Sequence, residues 1–183
     1  MIRFVRQQQR SSRLLSTFFE RQQQQDHISE KWNSANAYDR TFGEKFKAFA
    51  DAAFSFCPVP PRVVLDVGCG SGAMFDVLSK QQGTLDSKDV DQYVGIDFAT
   101  NMIQKCLEKR DLLEARRSCS AQFQFYKMNG TQLDFPPDTF DAAFGLFSVL
   151  FFDDRSKGLA EMNRVVSKGG HVVVSGWCKD VEW

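Results

Sequence analysis

Asp66, Gly68, Gly70 and Gly72 fall at alternate positions in the stretch VVLDVGCGSGAM, residues 63–74. Glycines at this spacing let the main chain turn tightly and approach a ligand with no Cβ in the way. A helix starting just behind such a turn offers N–H groups to an anionic group. Read through Ala73, the loop also satisfies the G-x-G-x-x-A fingerprint of dinucleotide sites, with Asp97 as the acid for a ribose. The loop alone leaves two ligands open: a nicotinamide dinucleotide, or another adenosine-bearing molecule.

Asp66 favours the second. It stands two residues before the first glycine, so its carboxylate would lie beside any pyrophosphate in the loop. Two like charges 4 Å apart repel by about 4 kcal/mol even at an effective dielectric of ~20. A cationic ligand gains from the same carboxylate. S-adenosylmethionine carries an ammonium and a sulfonium, and its carboxylate suits a helix N-terminus. The alternative for Asp66 is an aspartate that ties the loop or caps the helix.

The order of apolar runs predicts what positions these groups. AYDRTFGEKFKAFADAAF spaces Phe42, Phe46, Phe49 and Ala53 by four, three and four, which is one face of a helix. Pro58, Pro60 and Pro61 end it. RVVLDV then reads as a buried strand and AMFDVLSKQ as a helix. QYVGIDF reads as a second strand, and NMIQKCLEKRDLLEARR as a helix carrying Met102, Ile103, Cys106, Leu107 and Leu113. AQFQFYKM and FDAAFGLFSV read as the third and fourth strands. RSKGLAEMNRVVS is a helix with Leu159, Met162 and Val165 or Val166 on one side, stopped by Gly169-Gly170. HVVVSGW is the fifth strand. Such alternation predicts an α/β fold, a Rossmann-like doubly wound parallel sheet covered on both faces. Ligands in these sheets sit beyond the carboxyl ends of the strands. The segments to watch are therefore Asp66–Gly72, Asp97-Phe98, Met128–Thr131 and Phe147–Phe151.

The chain of 183 residues has 23 basic and 23 acidic residues. Zero net charge gives no global argument for nucleic acid or an anionic membrane. Five scattered cysteines, with no C-x-x-C pair, suggest neither a zinc site nor a disulfide framework, and fit reduced thiols inside a cell. No apolar run reaches the ~20 residues of a membrane span. The first 19 residues hold four arginines, hydroxyls and apolar side chains but no acid. That is the composition of a mitochondrial transit peptide; the other reading is a disordered glutamine-rich tail of a cytoplasmic protein. The organisation expected is a tail over residues 1–28, a helical lid region over 29–60 and the ligand-binding domain over 61–183. Trp32 and Tyr38 are candidate aromatics of the lid.

Four stretches in order resemble the class I S-adenosylmethionine-dependent methyltransferases. VVLDVGCGSG looks like their cofactor loop. YVGIDFATNMI is similar to the second-strand motif, whose acid binds the ribose hydroxyls. MNGTQLDFPPDTFD resembles the segment that closes on adenine, with Asn129 in place of the usual aspartate. LFFDDRSKGLAEMNRVVSKGGHVVVSGW resembles the helix, glycine turn and fifth strand of the small-molecule branch, which includes ubiquinone- and menaquinone-type enzymes. The match runs from about Trp32 to Trp183. It implies S-adenosylmethionine as cofactor and a small-molecule acceptor. It implies cofactor contacts at Asp66, Gly68, Cys69, Gly70, Gly72, Asp97, Phe98, Met102, Asn129, Gly130 and Phe147.

Asp97 can take two hydrogen bonds from a ribose diol. Phe98 and Met102 can lie against adenine or belong to the core. The Asn129 carbonyl can accept from the adenine amino group, and its own amide can donate. Ser148–Asp153 face the acceptor by analogy, and Phe151 and Phe152 suit an apolar one. No general base stands out: His27 falls in the tail and His171 opens a strand. No NPPY-like signature occurs. The family continues past the fifth strand with a helix and an antiparallel strand pair. The resemblance therefore implies an apparent lack of that strand pair here, with the fifth strand's edge left for a partner or a further C-terminal segment to cover. The acceptor is left open. Two other classes remain: a nicotinamide-dependent oxidoreductase, disfavoured by Asp66, and a methyltransferase-like binding or assembly subunit without turnover.

Overall fold

The computed structural model describes residues 35–81, 90–115 and 122–177. The basic tail, His27, Trp32, Cys119, Cys178 and the side chains of Tyr38 and Phe42 lie outside the described residues. Helix α1 spans Ala35–Phe54 and is followed by β1 (Val63–Val67), α2 (Ala73–Gln81) and β2 (Gln92–Asp97). Then come α3 (Thr100–Glu114), β3 (Gln122–Lys127), β4 (Phe140–Leu146), a 3₁₀ turn (Val149–Phe151), α4 (Arg155–Val165) and β5 (Val166–Ser175).

The five strands form one parallel sheet in the order β3-β2-β1-β4-β5. β1 is central, and its Val64, Leu65 and Val67 are completely buried. Because side chains alternate along a strand, each sheet face gathers its own core. Val64, Tyr93, Phe123, Phe125, Ala142 and Phe144 pack with residues of α1, α2 and α3 on one face. Leu65, Val67, Val94, Ile96 and Ala143 pack with Met162 and Val165 of α4 and with Leu133 on the other. Chain order reverses direction between β1 and β4, where an open α/β sheet has its ligand crevice. Among the described residues, no helix is long and apolar enough to cross a membrane.

Two expectations are corrected. Gly169-Gly170 does not stop α4. The helix ends at Val165, Val166 is already extended, and both glycines lie within β5. There the register with β4 shifts, from Phe140 opposite Val166 to Ala142 opposite His171. Gly169 takes φ +87° in this bulge. Leu159 does not share the buried side of α4; that side carries Gly158, Met162 and Val165, while Leu159 is exposed. β5 lies at an edge of the sheet, and exposed Phe49, Phe56 and Val174 line an apolar groove between α1 and β5.

Candidate functional site

The glycine turn is built from both sides. Gly68 and Cys69 both donate their N–H to the Ile96 carbonyl at the end of β2, at 2.8 and 2.9 Å. Gly70 N–H donates to Asp97 Oδ2 at 3.0 Å. From α3, Lys109 Nζ donates to the Ser71 carbonyl at 2.7 Å and pairs with Asp76 at 3.0 Å. Gly68, Gly70 and Gly72 have φ of +76°, +53° and +88°, so the turn needs residues without a Cβ. At Gly68 the need is doubled, because an added Cβ would stand 2.3 Å from Ser148 Cβ.

Two cavities meet at this turn, and Gly68 and Gly70 line both. The first is bounded by Asp97, Phe98 and Met102 after β2, by Asn129 and Gly130 after β3, and by Phe147, Ser148 and Phe152 after β4. The second lies under α1, between Phe46 and Ala50 on one side and Asp66, Cys69 and Met74 on the other. Each cavity holds one buried carboxyl group, Asp97 or Asp66.

Asp97 takes Gly70 N–H on one oxygen and Ala99 N–H on the other, at 3.0 and 2.9 Å. Burial raises its pKa while these bonds pull it down. Asp66 sits inside β1 and accepts from the Tyr93 hydroxyl at 2.7 Å. Burial pushes its pKa up to about 7; the Tyr93 bond opposes that and Asp97 adds to it. Ser148 Oγ donates to the Val67 carbonyl, closing the end of β1 against the segment after β4.

Phe147 has φ +56°, which a residue with a side chain adopts only where its surroundings impose it. Its N–H donates to Ser175 of β5. Its ring meets those of Phe46, Phe49 and Trp177 at 5.1, 5.0 and 4.7 Å. Phe147 lines the first cavity and Phe46 the second, so their contact links the two.

Nearly all the residues singled out in the sequence are brought together. Two roles change. Gly72 lines neither cavity; its missing Cβ makes room for Cys106 Sγ and Phe75. Asn129 lines the first cavity, but its side-chain carbonyl accepts from both the N–H and the hydroxyl of Thr131, each at 2.9 Å. Both lone pairs are thus engaged, and what Asn129 presents to a ligand is its amide N–H. Cys69 lines the second cavity, and its thiol lies against the Gly70 carbonyl. Sequence reasoning missed Phe46 and Tyr93 as site residues. Ser148, which the strand-end rule had picked out, lines the first cavity; the two missed residues depend on long-range contacts.

The charged groups of these cavities are acidic, and among the described residues no cluster of three could hold a metal ion. The model for a methyltransferase domain matches residues 65–174. Phosphoethanolamine N-methyltransferase 3 of Arabidopsis thaliana is 28% identical over 160 residues, covering 84% of this chain and 30% of that protein. Demethylmenaquinone methyltransferase of Bacteroides fragilis is 31% identical over 117 residues, covering 64% and 44%. The chain thus spans less than half the length of these relatives. Among solved structures, a putative S-adenosyl-L-methionine-dependent methyltransferase of Methanococcus maripaludis superposes with TM-score 0.64 at 19% identity, over 81% of this chain and 63% of that one. The [4+2]-cyclase SpnF superposes with TM-score 0.56 at 23% identity, over 70% and 43%. The chain belongs to the methyltransferase domain family and has the class I, Rossmann-like fold.

Proposed function

We propose that this chain binds S-adenosylmethionine and transfers its methyl group to a small-molecule acceptor. The observation that carries the reading is the division of the site into two acidic cavities joined at a glycine turn whose amides are already engaged. The N–H groups of Gly68, Cys69 and Gly70 donate to Ile96 and Asp97. A pyrophosphate would need such amides free, and would face Asp66 and Asp97 as like charges. A ligand with a diol at one end and an ammonium at the other fits the same groups without that conflict.

The residues suit this cofactor on their own chemistry. Asp97 has acceptor capacity left for the ribose hydroxyls after its two main-chain bonds. Phe98 and Met102 give the adenine an apolar wall, and Asn129 offers it a donor. Asp66 supplies negative charge for the ammonium, and the Gly68–Gly70 main chain lies between the two ends. When bound, the cofactor supplies a methyl group activated by the sulfonium. The protein then has to hold the acceptor in line and keep water out. Phe46 and Phe147, in contact with each other and lining the two cavities, stand where they can exclude water. A general base is required only for an acceptor that must lose a proton.

The names of the Arabidopsis and Bacteroides relatives support a small molecule as acceptor. The SpnF likeness shows that this fold also serves other reactions. Calorimetric titration with S-adenosylhomocysteine and with NAD tests the cofactor, and methyl transfer to a panel of amines, phenols and hydroquinones tests turnover. Binding of NAD but not S-adenosylhomocysteine would reject the reading. Cofactor binding with no turnover on any acceptor would favour the non-catalytic subunit.

A further inference from the structure

Asp66 is unusual among the acids here in lying within the central strand, not beyond it. Among the described residues its one hydrogen bond comes from Tyr93, whose hydroxyl donates to Oδ2 at 2.7 Å. Tyr93 is completely buried on β2. Its ring is held by Phe75, Phe123 and Phe125, with centroids at 6.4, 6.0 and 5.8 Å. The direction of the hydroxyl is therefore set by packing. The β1–β2 register places Gly95 opposite Asp66, so no β2 side chain stands directly across from the carboxyl.

We propose that Tyr93 is a positioning residue that fixes Asp66 behind the glycine turn, and that the pair makes the second cavity a proton-gated seat for a ligand's ammonium group. This rests on the cofactor reading and deepens it.

The titratable groups around the Asp66–Tyr93 pair are Asp97 from β2, Cys69 from the turn and Cys106 from α3. α1 presents Phe46 and Ala50 to the cavity, α2 Ala73 and Met74, and β4 Leu146. No described lysine, arginine or histidine lines it. Burial lifts the Asp66 carboxyl to about 7, and the phenol is the one neighbour that pulls it down. Burial and Asp66 itself push the Tyr93 phenol well up, so it remains a donor throughout the working range. An ammonium gains most when Asp66 is ionised. Binding then favours loss of the Asp66 proton, and affinity climbs with pH through about 7. Without the phenol the carboxyl keeps its proton to higher pH.

The test is calorimetric titration of S-adenosylhomocysteine from pH 5.5 to 8.5 into the full chain, Tyr93→Phe and Asp66→Asn. The ligand's own amine titrates identically against all three, so differences between curves report the protein. The full chain should bind more tightly as pH rises through 7. Tyr93→Phe should bind about tenfold more weakly at pH 6.5 and approach the unaltered chain at pH 8.5. Asp66→Asn should lose the Asp66 component of the rise. A Tyr93→Phe curve lowered by one constant factor at every pH marks a merely structural role and overturns the inference. So does an unchanged rise in Asp66→Asn. Should Tyr93→Phe not fold, 3-fluorotyrosine at position 93, a stronger donor of nearly the same shape, should move the rise to lower pH; no movement overturns the inference. Failure of the unaltered chain to bind at any pH would instead overturn the cofactor reading, and this inference with it.

Discussion

Asp97 combines two duties on one carboxylate. It ties Gly70 and Ala99 through their N–H groups and keeps acceptor capacity for a ligand. Asp97→Ala should therefore weaken S-adenosylhomocysteine binding by at least about a hundredfold, since it removes two hydrogen bonds to a charged group worth ~1.5–3 kcal/mol each. Unchanged affinity in a calorimetric titration would remove the ribose assignment. Gly68 is a test of packing. A methyl there meets Ser148 Cβ at 2.3 Å in a backbone at φ +76°. Gly68→Ala should lower stability by about 1–3 kcal/mol in urea unfolding. A variant as stable as the parent would mean that the Ser148 segment can retreat.

At the scale of elements, the segment between β3 and β4 has no helix of its own and is held by α4. Arg164 donates to the Leu133 and Phe135 carbonyls, each at 2.8 Å, and Glu161 accepts from Leu133 N–H at 2.8 Å. Glu161 and Arg164 also pair with each other, at 2.7 Å. The Arg164 hydrogen bond lowers the Glu161 pKa to about 2. A depressed carboxylate contributes stability above its unfolded pKa and loses it as pH falls, here between about 4.5 and 2. Glu161→Gln should lower the melting temperature at pH 7 and differ less from the parent near pH 2; an equal difference at both would refute the clamp.

The elements themselves were legible because apolar runs and proline breaks are local signals. α2 coincides with AMFDVLSKQ, and the first three strands end or begin within one residue of their apolar runs, whereas β4 stops at Leu146, short of FDAAFGLFSV, and β5 begins at Val166, well before HVVVSGW. What failed was not local. Gly169-Gly170 has the composition of a helix stop, but Val166 had already left the helix to pair with Phe140 of β4. The Asn129 carbonyl was free in the sequence and is engaged by Thr131 in the fold. Tyr93 gave no signal, since its role exists only once β2 lies beside β1.

For the molecule as a whole, the two buried carboxyl groups set a pH dependence opposite to that of Glu161. The folded pKa of Asp66 is raised from 3.8 to about 7, and that of Asp97 is also raised. Between these limits the unfolded chain gives up protons that the folded chain keeps, so stability falls as pH rises from about 4 to 7. The ligand-free protein should melt at a lower temperature at pH 7 than at pH 5, and Asp66→Asn should flatten that slope. A parent that gains stability over this range would contradict it. A cationic ligand that prefers the ionised form should recover much of the loss.

The Phe152 ring lies between two glycines from different parts of the chain. A Cβ on Gly130 would come within 2.4 Å of it and a Cβ on Gly158 within 2.3 Å. These positions are consequently not free to vary one at a time. Gly158→Ala should be harmful while Phe152 is in place and tolerated once Phe152→Ala has removed the ring and its Cδ atoms. The expected non-additivity is about 1–3 kcal/mol in a double-mutant cycle. Through descent the three should have changed together: lineages with a small side chain in place of Phe152 are released from the need for glycine at 158. At Gly130 the release is partial, because Val67 also stands within 2.9 Å of the missing Cβ. One aromatic ring thereby couples the evolutionary histories of the loop after β3 and helix α4.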